Sequence, residues 1–433
     1  MKPPIFRTKH TPYLAAILVA AGYFILLLAA SGFRATAGIL IVPLEQEFHW
    51  SRTAISLAIS VNLVCYGLAG PFSAAFATRF GLRQLVMVAM AVLTLAALLA
   101  TQISQTWQLV VVWGLLVGTG AGMVGLSLST LVVERWFTAH RGLVQGLMTA
   151  SFATGQLAFL PMLANVSTNF GWRYVCWVIA FVGLASLPMI WAFIHNRPSD
   201  IGAAKFGESA DDAALRNATP IPPATGNPMI MPITALFQAS KHRDFWLLFL
   251  TFFVCGLSTN GLIGTHLIAA CTDVGISPPR AAWVLAAMGI FDLVGTIGSG
   301  WLTDRYDSRI LLAFYYGFRG LALLALPAVL AIGDYSVWLW VFALFYGLDW
   351  VATVPPTVRL AMGILGREKV GMVFGWINTG HQLGAAVAAG GAGWIRTYYS
   401  DYGIAFILAG AVCMVAVLAA LSVGRHGRSA AAG

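Results

Sequence analysis

Apolar segments recur along the whole of this 433-residue chain, each of about 20 residues, the length a helix needs to cross ~30 Å of hydrocarbon. Inside such a segment a helix satisfies every backbone group locally, so a bundle of spanning helices is the structure the sequence demands. Charge agrees: only 9% of residues are charged and 59% are hydrophobic, with mean hydropathy +0.81, where soluble domains carry about 25% charged residues. The chain is read as an all-α integral membrane protein. The five cysteines, Cys65, Cys176, Cys255, Cys271 and Cys413, fall within or at the ends of apolar segments without metal-ligand spacing, and are read as small buried hydrophobes. The first apolar stretch is too long for the core of a signal peptide and is read as the first span.

Twelve spans are placed at 14–43, 53–76, 84–101, 107–130, 142–167, 173–195, 244–271, 281–302, 310–332, 337–362, 370–397 and 402–424. The net charge of +9 then follows topology and points to no nucleic-acid partner. Of the 25 lysines and arginines, nineteen lie on the side that holds both termini and four on the other (Arg52, Arg173, Arg280, Arg396), while Arg34 and Arg319 are intramembrane. The positive-inside rule puts both termini in the cytoplasm, which requires an even number of helices. Residues 196–243 interrupt the rhythm with acids and the run Pro220, Pro222, Pro223, Pro228, Pro232. They are read as a cytoplasmic tether between a six-helix half at 1–195 and a second at 244–433.

The halves echo each other. Thr78-Arg79-Phe80-Gly81-Leu82-Arg83 follows the second span, and Asp304-Arg305-Tyr306-Asp307-Ser308-Arg309 follows the eighth, its arginines offset by 226 residues. Gly142, Gly146 and Gly155 recur as Gly371, Gly375 and Gly384 at a constant offset of 229. A two-fold repeat of six helices is the signature of a rocking transporter with its site between the halves.

With the D-R-x-x-x-R cytoplasmic signature and the long central loop, the chain resembles the major facilitator superfamily over nearly its whole length. RATAGILIVPLEQEFHWSRTAISLAIS, and ERWF followed by HRGLVQG, resemble the bacterial monocarboxylate and oxalate/formate-type carriers. The first-half loop carries Thr78 where that signature has an acid and Ala74 where it has glycine. The resemblance implies twelve helices in two pseudo-symmetric halves and alternating access. It also implies a conformational latch at Arg79, Arg83, Asp304, Arg305 and Arg309.

Four ionisable residues, Arg34, Asp292, Arg319 and Asp349, lie deep in spans, where a charge faces a cavity or a partner. Arg34 is a candidate carboxylate clamp or a structural arginine. Gly32, Gly38 and Pro43 predict a bend or unwinding just beyond it. The resembled carriers have a basic residue in this stretch, and their eighth helix has an arginine four residues after an Asp; that position here is Thr296. Arg319 can supply the missing charge, through Asp292 or through Asp349, as a structural ion pair. Asp349 and Asp292 are the two candidates for proton coupling, since an unpaired carboxylate in low dielectric takes up a proton readily. A permanent salt bridge to Arg319 removes that role. His381 is a titratable group at depth, or a hydrogen-bonded interior residue. Asn62, Tyr66, Gln156, Tyr346 and Asn378 complete the candidate substrate-binding set.

The expected function is secondary active transport, not enzymatic chemistry, of a small monocarboxylate-like anion, proton-coupled and without cofactor or metal. The expected setting is a bacterial inner membrane, with the lipid bilayer as surroundings and a monomer as the working unit. An exporter of amphipathic or drug-like compounds, and a non-transporting receptor, are the alternatives. No Walker GxxxxGK[ST] run is present for ATP hydrolysis.

Overall fold

Each apolar segment forms a helix in the computed structural model, which describes residues 13–218, 227, 229–333, 337–365 and 370–424. The long helices are α1 Leu14–Phe48, α2 Arg52–Phe80, α3 Leu82–Ala100, α4 Thr106–Val124 continued by Leu126–Trp136, α5 Arg141–Phe170 and α6 Trp172–Phe193. The second half has α7 Arg243–Asp273, α8 Pro278–Thr303, α9 Ser308–Ala331, α10 Val337–Asp349 resumed as Val354–Leu365, α11 Val370–Tyr399 and α12 Gly403–Ser422. Among the described residues ten are long and apolar enough by composition to cross a membrane; α5 and α11, of 30 residues each, complete the twelve. Below, the linker end is the end with the α6–α7 connection, and the far end is the opposite one.

Phe80-Gly81-Leu82-Arg83 and Phe170-Gly171-Trp172-Arg173 make one-residue turns from α2 to α3 and from α5 to α6. Both glycines have φ +94°, a conformation that a side chain rarely tolerates.

Two sequence expectations are corrected. The unwinding expected beyond Arg34 is absent, and α1 runs as one continuous helix of 35 residues with Pro43 inside it. Its glycines serve close packing instead: a Cβ on Gly38 would sit 3.0 Å from the Thr265 carbonyl oxygen of α7, and one on Gly32 3.3 Å from the Phe159 ring of α5. Part of the predicted tether is docked, with Phe206 N donating to Trp136 O and Thr138 N to Phe206 O at 2.8 and 2.9 Å. The Phe206 ring packs on Tyr13, Phe137 and His140, because burying an aromatic ring outweighs the entropy of a short loop. Linker helix Ile230–Ala239 lies against α2, α10 and α11, held by Trp376 Nε1 donating to Pro232 O at 2.7 Å. The run Pro220, Pro222, Pro223 and Pro228 lies outside the described residues. Pro355-Pro356 stand in the first turn of the resumed half of α10, directly after its break at 350–353, where a missing N–H costs nothing.

The halves meet along α2/α11 and α5/α8. The α2/α11 seam is built from small residues and hydroxyls. Ser60 Oγ lies 2.8 Å from Ala386 O and 3.0 Å from Ser56 O, and Thr379 Oγ1 lies 3.1 Å from Gly67 O and 3.2 Å from Gly375 O. Within the second half, α7 and α11 touch backbone to backbone: Cβ atoms on Gly256 and Gly384 would come within 1.7 Å of His381 O and 1.9 Å of Phe253 O.

Candidate functional site

Arg34 sits beyond the midpoint of α1, half-buried, with its guanidinium 4.3 Å from the centroid of the Tyr66 ring on α2. That cation–π contact anchors the head of a long side chain and so lowers the cost of ordering it around an anion. Tyr66 in turn abuts α4, where Gly122 lies on its backbone and Gly125 beside its hydroxyl. At Gly125 (ψ −173°) α4 breaks, and the buried Tyr23 hydroxyl of α1 donates to the freed Val124 carbonyl at 2.9 Å. Across the seam His381 packs on the Phe252 ring, 5.2 Å between centroids, and lies within Coulombic reach of both Arg34 and Arg319. Gln382 Nε2 is 3.3 Å from His381 Nδ1; an amide nitrogen only donates, so the neutral ring carries its proton on Nε2. Arg34, Tyr66 and His381 can thus present one cation and two polar rings to a small anion.

The second cluster lies on α8, α9 and α10. Arg319 is 1% exposed, and Nε donates to Asp349 Oδ2 at 2.7 Å. Its Nη2 donates to the carbonyls of Asp349 and Trp350, and Nη1 points to Cys255 Sγ on α7 at 2.9 Å. α10 is interrupted between Asp349 and Val354, so these carbonyls lack helical partners, and one guanidinium supplies both. Asp292 is not Arg319's partner here. Its Oδ1 accepts from Val351 N at 2.9 Å and from Thr296 Oγ1 at 3.0 Å, capping the resumption of α10. Thr296, which stands where the resembled carriers have arginine, thereby holds this carboxylate with a neutral donor. Ser299 Oγ donates to Ala352 O and completes the break. Asp349 Oδ1 is a buried oxygen without a hydrogen-bond partner.

Two candidate substrate groups are engaged elsewhere. Asn62 Nδ2 donates to Trp113 O at 2.6 Å, and the Tyr346 hydroxyl to Ser258 O at 2.8 Å. Both acceptors lie in π-helical stretches, Val110–Val117 and Leu257–Ile263, where i→i+5 pairing disturbs the ladder and leaves carbonyls to be satisfied from outside. Asn378 is half-buried one turn before His381. The side chain of Gln156 lies outside the described residues. At the linker end the named latch residues pair within their own halves. Arg83 Nε donates to Ile194 O at 2.6 Å, Arg309 grips Asp307, Arg305 stacks on Trp301 at 4.1 Å, and Arg359 lies 3.8 Å from Asp304. Arg79 stands exposed beside them on α2.

Sequence reasoning missed the far-end contact between the halves. Arg52, 5% exposed, donates to Asp273 of α7 at 2.7 and 2.8 Å, to Glu45 of α1 at 2.8 Å and to the Tyr402 hydroxyl at 3.2 Å, while Arg396 shares Asp273 at 2.6 Å. The available signal was the scarcity of positive charge at that end, where every arginine stands out.

Matched six-helix halves, with ionisable groups gathered at breaks and stacks deep inside, define a membrane carrier and not an enzyme. The chain belongs to the Major Facilitator Superfamily, whose family model matches residues 19–389 and 272–432. It is 23% identical over 396 residues to an uncharacterised MFS-type transporter of Bacillus subtilis, covering 91% of this chain and 90% of that protein. It is 26% identical over 377 residues to monocarboxylate transporter 13 of Rattus norvegicus (86% and 81% covered), and 26% over 305 residues to a gallate transporter of Pseudomonas putida (68% and 67%). Among solved structures a D-xylose–proton symporter superposes with a TM-score of 0.71 at 14% identity, over 95% of this chain and 98% of that one.

Proposed function

We propose that this protein is a proton-coupled carrier of small monocarboxylate-like anions that works by alternating access in a bacterial inner membrane, with both termini and the linker end in the cytoplasm. The observation that carries the reading is Arg34, deep in α1, stacked on the Tyr66 ring of α2. A cation this deep in a bilayer costs several kcal/mol on most scales, and a carboxylate is the group that a guanidinium fork binds best. The names of relatives in the same family, monocarboxylate and gallate transporters, fit an organic carboxylate. Asp292 is the proton carrier in this reading. Its partners Thr296 and Val351 are neutral, so the carboxylate can gain a proton without breaking an ion pair, whereas Asp349 is committed to Arg319. The orientation follows the excess of lysine and arginine on the linker side.

Uptake into proteoliposomes tests this, with lactate, pyruvate, oxalate, aromatic acids and neutral solutes offered with and without an imposed pH gradient. Anion accumulation driven by the gradient, and abolished by Arg34→Gln, is the expected result. Transport of neutral or cationic solutes alone, indifferent to Arg34→Gln, sinks the reading.

A further inference from the structure

The Arg52 network ends in a group that no transport role has yet used. His266 of α7 is fully buried, with Nε2 2.8 Å from Ala389 O of α11 and Nδ1 3.1 Å from the Tyr402 hydroxyl at the start of α12. A carbonyl only accepts, so Nε2 carries the ring proton and Nδ1 is left as an acceptor. Tyr402 therefore donates to His266, and its oxygen accepts from Arg52 Nη1. Arg52 crosses between the halves to Asp273. Every proton in this chain of bonds has one direction, and it requires a neutral imidazole.

We propose that His266 is a second proton-binding site, and that its protonation opens the far end of the carrier. A second ring proton has only the Tyr402 oxygen to go to. That oxygen already accepts from Arg52, and the tyrosine's own proton then loses its acceptor. A second cation also appears beside Arg52, although both carboxylates of that network are taken, Asp273 by Arg52 and Arg396 and Glu45 by Arg52. The charged group beside His266 is Arg52 from α2, reached through Tyr402 at the start of α12, and Arg52 is in turn tied to Glu45 from α1 and to Asp273 from α7, which Arg396 from α11 shares. The site stands at the closure point, because Gly38 of α1 lies against the carbonyls of Gly264 and Thr265 immediately before His266. Opening separates α1 and α2 from α7 and lets water reach the ring. The open state then binds the proton better, and by linkage acid favours the state that binds it. With the far end outside, as proposed above, external protons would favour the state that faces them.

The test uses the full-length protein in lipid nanodiscs without substrate, so that both faces see one pH and neither orientation nor substrate enters. Spin labels carried by unnatural amino acids at Gln46 and Ser277, both exposed at the far end, report the separation of α1 from the turn that joins α7 to α8. Between pH 7.5 and 5.5 the ratio of long to short distances should rise, by up to about tenfold per pH unit below about 6.5, where a hydrated imidazole titrates. His266→Gln and His266→Asn keep an amide in place of the ring and take no proton, and either should abolish the shift. Asp292→Asn should retain it, which separates this site from the one proposed for transport coupling. A pH-independent distance in the wild type, or an undiminished shift in either His266 variant, overturns the proposal.

Discussion

Arg319→Met tests the claim that one guanidinium sustains the break in α10. The substitution removes the donors to Asp349 Oδ2, Asp349 O and Trp350 O together, at a position 1% exposed. Stranding the Asp349 carboxylate costs about 3–5 kcal/mol. Each carbonyl left buried and unbonded adds about 1–3 kcal/mol. The combined loss rivals the ~5–15 kcal/mol that holds a typical fold together, so Arg319→Met should yield little folded protein. Arg319→Met/Asp349→Leu removes the stranded charge but not the orphaned carbonyls, so it should regain the ~3–5 kcal/mol pair contribution only. Asp349→Asn keeps an acceptor for Nε and both carbonyl bonds but leaves the buried guanidinium without its counter-charge, so it should cost about 3–5 kcal/mol, less than Arg319→Met. Thermal unfolding followed by a thiol-reactive dye reads this directly, since Cys176, Cys255, Cys271 and Cys413 are buried until the helices part. The scale is about 2–4 °C per kcal/mol for a unit of roughly 200 residues, the size of one half. A single Arg319→Met variant within ~1 kcal/mol of wild type, or a double variant no more stable than the single, refutes the reasoning.

Asp292→Asn can still accept from Thr296 and Val351, so it should fold normally yet lose gradient-driven accumulation; full accumulation by this variant removes Asp292 as the proton carrier. Arg34→Lys should retain weak uptake with a raised KM, because a point charge replaces a planar fork, and an unchanged KM in concentration-dependent uptake contradicts the clamp. Gly256→Ala forces a Cβ to within 1.7 Å of His381 O, where backbone cannot yield, and size-exclusion profiles should show loss of the folded peak. His195, at the linker end, is held below its ordinary pKa, first by burial and then by Arg83, whose Nη2 lies 2.6 Å from Nδ1. A group kept neutral in the folded state and protonated in the unfolded one gives stability that is present above about pH 6.5 and is lost as pH falls through that range. His195→Gln should flatten the pH dependence of thermal stability between pH 7 and 5.5, and an unaltered slope would show that the histidine contributes nothing.

Depth in the membrane was legible from the sequence; direction around each helix was not. Hydropathy and charge asymmetry located the spans because both are properties of whole segments, and the 226- and 229-residue offsets exposed the repeat. The four deep charges were recognisable for the same reason, and Arg319–Asp349 was one of two pairings that depth allowed. Which pairing forms depends on where α10 breaks, and a break set by Asp292, Arg319 and Ser299 together is a tertiary property that no local pattern encodes. The partners of Asn62 and Tyr346 were hidden likewise: π-helical stretches on α4 and α7 created carbonyls in need of donors, and nothing in the polarity of an Asn or Tyr foretells such a carbonyl. Arg52 was counted as a loop charge because it opens α2, and its acid lies 221 residues away.

The hydroxyls on the α2/α11 seam have a kinetic consequence. Ser60 and Thr379 each own one proton and have two carbonyls in reach, one across the seam and one a turn back on their own helix. When the halves part, each proton can swing to the home carbonyl, and no donor is left bare in a medium without water. The seam is therefore held by bonds that can be handed over rather than broken. Valine is nearly isosteric with threonine but cannot make that exchange, so Thr379→Val would remove the hand-over while leaving the packing of the seam in place.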